Sequence, residues 1–166
     1  MFKKILLAVA VALPLSAMAQ KFGTVDIESV FDAMPETAAM TTQLQETSKK
    51  YEDEYAKLQE EVNKLYAEFQ SIQNDTNTPE SIKERRLQEV QDRYAKVQQF
   101  RETAQQDLAR LEQQLSAPIQ QKLMDAIKTV GAEGSFTFIM PAGGTLLYSG
   151  SDVVDVTPQV RTKLGI

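Results

Sequence analysis

The sequence predicts a mainly α-helical protein with a small β head, from which a long antiparallel helical hairpin, a coiled-coil arm, projects. Three observations predict it. Apolar residues between 44 and 115 recur every three to four residues, with Glu, Lys, Gln and Asn between them, as on a coiled-coil seam. The strongest turn signal inside that stretch, NDTNTPES at 74–81, divides it into two runs of similar length. Sequence of β type is confined to the two ends of the chain, at 21–31 and 136–157.

The first segment, MFKKILLAVAVALPLSAMA, has a basic start at Lys3 and Lys4, an apolar core at 5–15 and a small-x-small site at Ala17-Met18-Ala19. This is the pattern of a secretory leader, cleaved after Ala19. Its apolar core is shorter than the roughly 20 residues a membrane-spanning helix needs. The mature chain is expected to run from Gln20 to Ile166 in the periplasm.

KFGTVDIESVF, residues 21–31, alternates Phe22 and Thr24 against Val25 and Ile27 and reads as a short strand. Val30, Phe31 and Met34 suit a helical turn. Met34-Pro35 is a boundary, because the residue before proline avoids the helical region, and Pro35 fits the first turn of the next helix. The first long helix, about 36–73, would span roughly 57 Å at 1.5 Å per residue. Its seam is Leu44, Tyr51, Tyr55, Leu58, Val62, Leu65, Phe69 and Ile72, with Ser48 in the one polar position. Thr78 and Pro79 are placed to cap and start the second helix. That helix offers Leu87, Val90, Tyr94, Val97, Ala104, Leu108, Leu111 and Leu115 as the facing seam, weakened at Arg101. Pro118 is expected to kink or break it, and Gly131 and Gly134 to end it.

Period two returns in Phe136, Phe138 and Met140. PAGG at 141–144 reads as a hairpin turn, 145–149 as its second strand, and Thr157 as the cap of a short closing helix. The domain reading is therefore a leader at 1–19, a head at 20–35 and 131–166, and an arm at 36–130. A head this small is marginal alone, and partner subunits would cover its strand edges. Val25, Ile27, Phe136, Phe138, Met140, Leu146 and Tyr148 are the candidates for that interface.

Composition removes several functions. The chain has no Cys and no His, so disulfides, His/Cys zinc sites and Ser-His or Cys-His nucleophilic pairs are absent. Net charge goes from −5 to −7 once Lys3 and Lys4 leave with the leader, which argues against nucleic acid as a partner. Runs such as Glu52-Asp53-Glu54 lie on solvated helix faces and lack the dry pocket that separates carboxyl pKa values in catalysis. Thr41, Ser48 and Ser116 have no partner base, and no glycine-rich loop leads into a helix to cradle phosphate. No cofactor, metal site or enzymatic activity is expected. Asn74-Asp75-Thr76 reads as turn chemistry.

At the two ends of the chain, GTVDIESVFDAMPET and FTFIMPAGGTLLYSGSDVVDVTPQVRTKLG frame the polar hairpin in a way that resembles the Skp/OmpH family of periplasmic chaperones. The most specific matches are Val25, Asp26, Val30 and Phe31 and the ending L-Y-S-x-x-D-V-V-D-V-T-x-x-V. The resemblance implies a homotrimer with a shared β body and three helical arms around a cavity. It also implies an ATP-independent holdase that keeps unfolded outer-membrane β-barrel proteins soluble. The family's arms are basic, whereas residues 43–125 here hold 12 basic and 16 acidic side chains, which argues against a lipopolysaccharide or membrane contact. Apolar residues off the seam, Met40, Tyr66, Ile82 and Phe100, are the candidates for client contact. The alternative class is an oligomeric coiled-coil spacer of the cell envelope with no client.

Overall fold

The computed structural model describes residues 20–143 and 146–166. The expected leader and its cleavage site fall on residues outside the described ones, as do Gly144 and Thr145 of the expected PAGG turn. The elements run β1 (Lys21–Val25), α1 (Ile27–Ala33), α2 (Pro35–Gln73), α3 (Glu80–Glu133), β2 (Phe136–Pro141), β3 (Val153–Asp155) and α4 (Thr157–Leu164). They form two compact units, one of residues 20–30 with 123–166 and one of residues 31–122.

The sheet belongs to the first unit. Its strand order is β2-β1-β3, with both neighbours parallel to the central β1. The expected hairpin is therefore not formed: residues 146–150 are not strand, and β1 takes Val153–Asp155 as its second neighbour. In a hairpin, Leu146 and Tyr148 would face one side of the sheet and Leu147 the other, so one apolar face would have no layer to cover it. The ValVal pair of β3 instead lies beside β1, and Val156 N–H donates to Thr24 O at 2.8 Å to continue the ladder. The first strand also ends sooner than the alternation suggests. Asp26 accepts from Ser29 N–H at 2.9 Å and starts α1, which takes in Ile27.

Gly23 permits the close approach of β2, since a Cβ there would lie 3.1 Å from Ile139 Cγ1. Phe22 and Phe138 stack across the β1–β2 pair with ring centroids 4.6 Å apart. Behind the sheet Val25, Val30, Leu123, Ala126, Ile127, Val130, Val156 and Val160 are all buried. Two polar fastenings hold the ends of the chain together. Thr157 Oγ1 donates to Asp155 Oδ1 at 2.6 Å and accepts from Asp26 N–H at 2.9 Å. Arg161 donates to Ser29 O and Ser29 Oγ, at 3.1 and 2.6 Å. Thr157 was expected to cap α4; it is spent on this fastening, and α4 begins without a side-chain cap. Gly165, at φ 78, stops α4 in the left-handed conformation.

The second unit is α2 with residues 80–122 of α3. Pro35 occupies the first turn of α2, and Met34 before it is extended, at ψ 132. In the connecting turn Asp75 is the hub. Its carboxylate accepts from Asn77 N–H at 3.0 Å and from the Thr78 hydroxyl at 2.6 Å, and these bonds hold it below the ordinary aspartate pKa. Thr78 thus ties the turn together instead of capping α3, because an ionised carboxylate is a strong acceptor. Pro79 O takes the first helical bond, from Ile82 N–H at 2.9 Å. The expected break at Pro118 does not occur: α3 continues through it to Glu133. Pro118 and Gln114 are both exposed, so water can satisfy the carbonyl that lacks a donor there.

Candidate functional site

Cross-contacts fix how α2 and α3 pair. Glu36 bonds Lys122, Tyr51 donates to Asp107 Oδ2 at 3.2 Å, and Glu61 pairs with Arg93 at 2.9 Å. Partner numbers fall as α2 numbers rise, so the two helices are antiparallel. The Tyr51 phenol is pushed up by desolvation and, next, by donating to the Asp107 carboxylate. Glu36 is held down by its bond to Lys122.

On α2 the seam runs as the spacing predicts, with Val62 and Phe69 buried and Tyr51, Tyr55, Leu58, Leu65 and Ile72 half-buried. On α3 it does not. The inward positions are Arg86, Val90, Arg93, Val97, Phe100, Ala104 and Asp107. Leu87 and Tyr94, expected in the seam, are 40% and 53% exposed. Polar residues hold three of these seven positions, Arg86, Arg93 and Asp107, so at 87 and 94 the apolar pattern points one residue too far along. Long arginine side chains manage this by laying their methylenes along the seam and turning the charged head outward, where Arg93 meets Glu61. Counting back from Phe100 in steps of seven would have found 93 and 86.

The four residues proposed off the seam therefore part company. Phe100 is on it: its ring packs edge-on against Tyr51 with centroids 5.9 Å apart. Met40 is half-buried beside a hollow of about 310 Å³ shared with Leu115, Pro118 and Ile119. Tyr66 is 50% exposed and Ile82 is also exposed. Together with Leu87 and Tyr94 they make the large apolar surface of this unit's outer half. A second hollow, of about 550 Å³, lies between Leu44, Gln45, Ser48, Gln105 and Leu108.

The proposed interface residues of the sheet unit are equally divided. Val25 is buried within its own chain, and Ile27, Phe136, Met140 and Leu146 are half-buried. Phe136 carries the Lys21 ammonium 4.3 Å above its ring. Phe138, Leu147 and Tyr148 stand open, Leu147 at 96% and Tyr148 at 84% exposed. Leu147 was not among the sequence candidates, because only the hairpin register separated it from Leu146 and Tyr148.

Among the described residues no group of three or more His, Cys, Asp or Glu is placed to hold a metal ion. No helix of the described chain is long and apolar enough to cross a membrane. What this surface offers chemically is exposed phenol and alkyl groups interspersed with amides and solvated charges, suited to many weak contacts. A family model described as outer membrane protein (OmpH-like) matches residues 21–164. No curated protein matches the chain.

Proposed function

Because the chain belongs to the OmpH-like outer membrane protein family, we propose that it is an ATP-independent holdase. It binds unfolded outer-membrane β-barrel proteins between helical arms and prevents their aggregation. The family is periplasmic and serves outer-membrane proteins as chaperone in general. The reading for this chain adds an exported mature protein, cleaved after Ala19, that works without enzymatic activity or cofactor. It assembles as a homotrimer through the sheet unit, where Phe138, Leu147 and Tyr148 are apolar and exposed and the outer edges of β2 and β3 have no partner strand among the described residues. Nucleic acid is not a partner, and the net acidity of 43–125 argues against lipopolysaccharide.

One observation carries the proposal. Tyr66, Ile82, Leu87 and Tyr94 are large, apolar and exposed on a pair of helices whose seam does not need them. Single apolar residues on a surface are ordinary, but four in the outer half of one hairpin give a client many weak handholds. Weak contacts multiplied over three arms hold tightly in sum yet release one at a time, which suits transfer without an energy source.

The test is light-scattering molar mass of the mature protein, alone and after mixing with a urea-unfolded outer-membrane barrel diluted into buffer. A trimer that forms a soluble complex, while the barrel alone precipitates, is the expected result. A trimer that leaves the barrel to aggregate would replace the holdase with an envelope spacer, and a monomer would remove the assembly as well.

A further inference from the structure

We infer that the arm is two-sided, and that one flank, the one bearing Gln45, Gln59, Tyr66, Leu87, Tyr94 and Leu108, is the surface on which an extended segment of the client lies. This rests on the holdase reading and says where on the arm the client sits. The corrected register makes the assignment possible. With Val62, Phe69, Val90 and Val97 at the a positions, Gln45, Gln59 and Tyr66 on α2 are e positions, as are Leu87, Tyr94 and Leu108 on α3. In an antiparallel pair the e positions of both helices share one flank and the g positions share the other. The hollow that places Gln45 beside Leu108 fixes the level. Two heptads along, Gln59 is level with Tyr94, and one more brings Tyr66 level with Leu87.

The opposite flank differs in chemistry. Its g positions include Glu54, Glu61 and Glu68 on α2, and Glu89, Lys96 and Arg110 on α3. On the first flank the charges at e positions between 45 and 108 are Glu52 and Arg101, of opposite sign and at the same level. An unfolded chain brings unpaired backbone N–H and C=O groups and apolar side chains. Glutamine amides both donate and accept, and tyrosines present an apolar ring with a polar tip. Contact there strips water from few charges, whereas the opposite flank would lose the solvation of a row of them.

Length also selects the occupant. From the Tyr66–Leu87 level to the Gln45–Leu108 level is 21 residues of helix, about 31 Å. A barrel strand of about ten residues, alternating apolar and polar, spans about 33 Å when extended. A helix from a second copy fits less well. It would need an apolar partner at every heptad step, and the Glu52–Arg101 level supplies none.

The chain's lack of Cys and Trp makes the test clean. Two variants of the full mature protein each gain three negative charges at exposed positions. One is Tyr66→Asp with Leu87→Asp and Tyr94→Asp; the other, on the opposite side, is Gln99→Asp with Thr103→Asp and Gln106→Asp. Molar mass and far-ultraviolet circular dichroism establish that assembly and helix content match wild type. Retention of the diluted urea-unfolded barrel is then compared, expected to fall roughly tenfold or more in the first variant and to stay near wild type in the second. An environment-sensitive dye on Leu87→Cys should shift to the blue when the barrel is added, and the same dye on Thr103→Cys should not. Equal retention by the two variants, or equal dye shifts at both sites, would overturn the flank assignment. A changed molar mass confined to the first variant would also overturn it, in favour of contact between arms. If wild type itself fails to retain the barrel, it is the holdase reading that falls.

Discussion

In the sheet unit Val30, Val156 and Val160 are 0% exposed, and they are flanked by Val25, Leu123, Ala126, Ile127 and Val130, all buried. In the helical unit Val97 reaches 0%, but its neighbours along the seam alternate with Arg86, Arg93 and Asp107. The difference follows from geometry. Three strands backed by helices enclose a volume, so a side chain can be covered from every direction. Two helices side by side enclose only a line, so few seam residues are covered as fully as Val97. One chain thus holds a densely packed part and a loosely packed part from this difference alone. Apolar contact density sets local opening free energy.

The comparison can be broken most directly by cutting into each core. Leu123→Ala in the sheet unit should cost about 3 kcal/mol, the usual range for a buried leucine that leaves a cavity. Denaturant unfolding measures it, and a cost below about 1 kcal/mol would mean that the unit repacks as easily as a surface. Val97→Ala in the helical unit should cost less, about 1.6 kcal/mol for two buried methyl groups, because two helices can close toward each other around the loss. Hydrogen exchange should confine that effect to the arm amides; protection lost equally in the sheet would mean that the units do not open separately.

A pH series sharpens the comparison from the polar side. Asp155 is held below the ordinary aspartate range by the Thr157 hydroxyl and then by the Thr157 N–H. A depressed folded-state pKa contributes stability above the unfolded value, near 3.9, and that contribution is lost as pH falls through the folded value. Asp155→Asn should therefore lower the Tm of the sheet unit at neutral pH, and the two melting curves should converge in acid. A gap that persists unchanged at low pH would show that the carboxylate's charge is not what fastens β3 to α4.

The smallest effect is expected at the arm's polar seam. Arg93→Leu removes a half-exposed ion pair with Glu61, worth at most about 1 kcal/mol, and adds an apolar side chain at an inward position. The two changes nearly cancel, so stability should stay within about 1 kcal/mol of wild type. A much larger loss would mean that the arginine stems carry more of the seam than their exposure suggests.

Much of this was legible in the chain. The seam of α2, the turn at 74–79 and the confinement of strands to the two ends all follow from local rules: spacing, proline placement, turn chemistry. The register of α3 was not legible in the same way. Leu87 and Tyr94 are as apolar as true seam residues, and the heptad count reaches Arg86 and Arg93 only once the partner helix has shown that Phe100 is on the seam. The hairpin after PAGG failed for a similar reason. Alternation shows that a segment can be a strand, but not which edge will receive it, and β1 had already brought β3 to its second edge.

The sequence by itself determined where helix and strand character lie, how long the arms are, and which catalytic and metal chemistries have no residues to support them. These depend on residue identity and nearest neighbours, which a linear text records in full. Only the tertiary structure decided that the sheet is parallel, that Thr157 and Asp75 serve as fasteners, and which apolar residues of the arm stay in water. Those outcomes are competitions between distant segments for one edge, one acceptor or one groove, and they are settled when the segments meet.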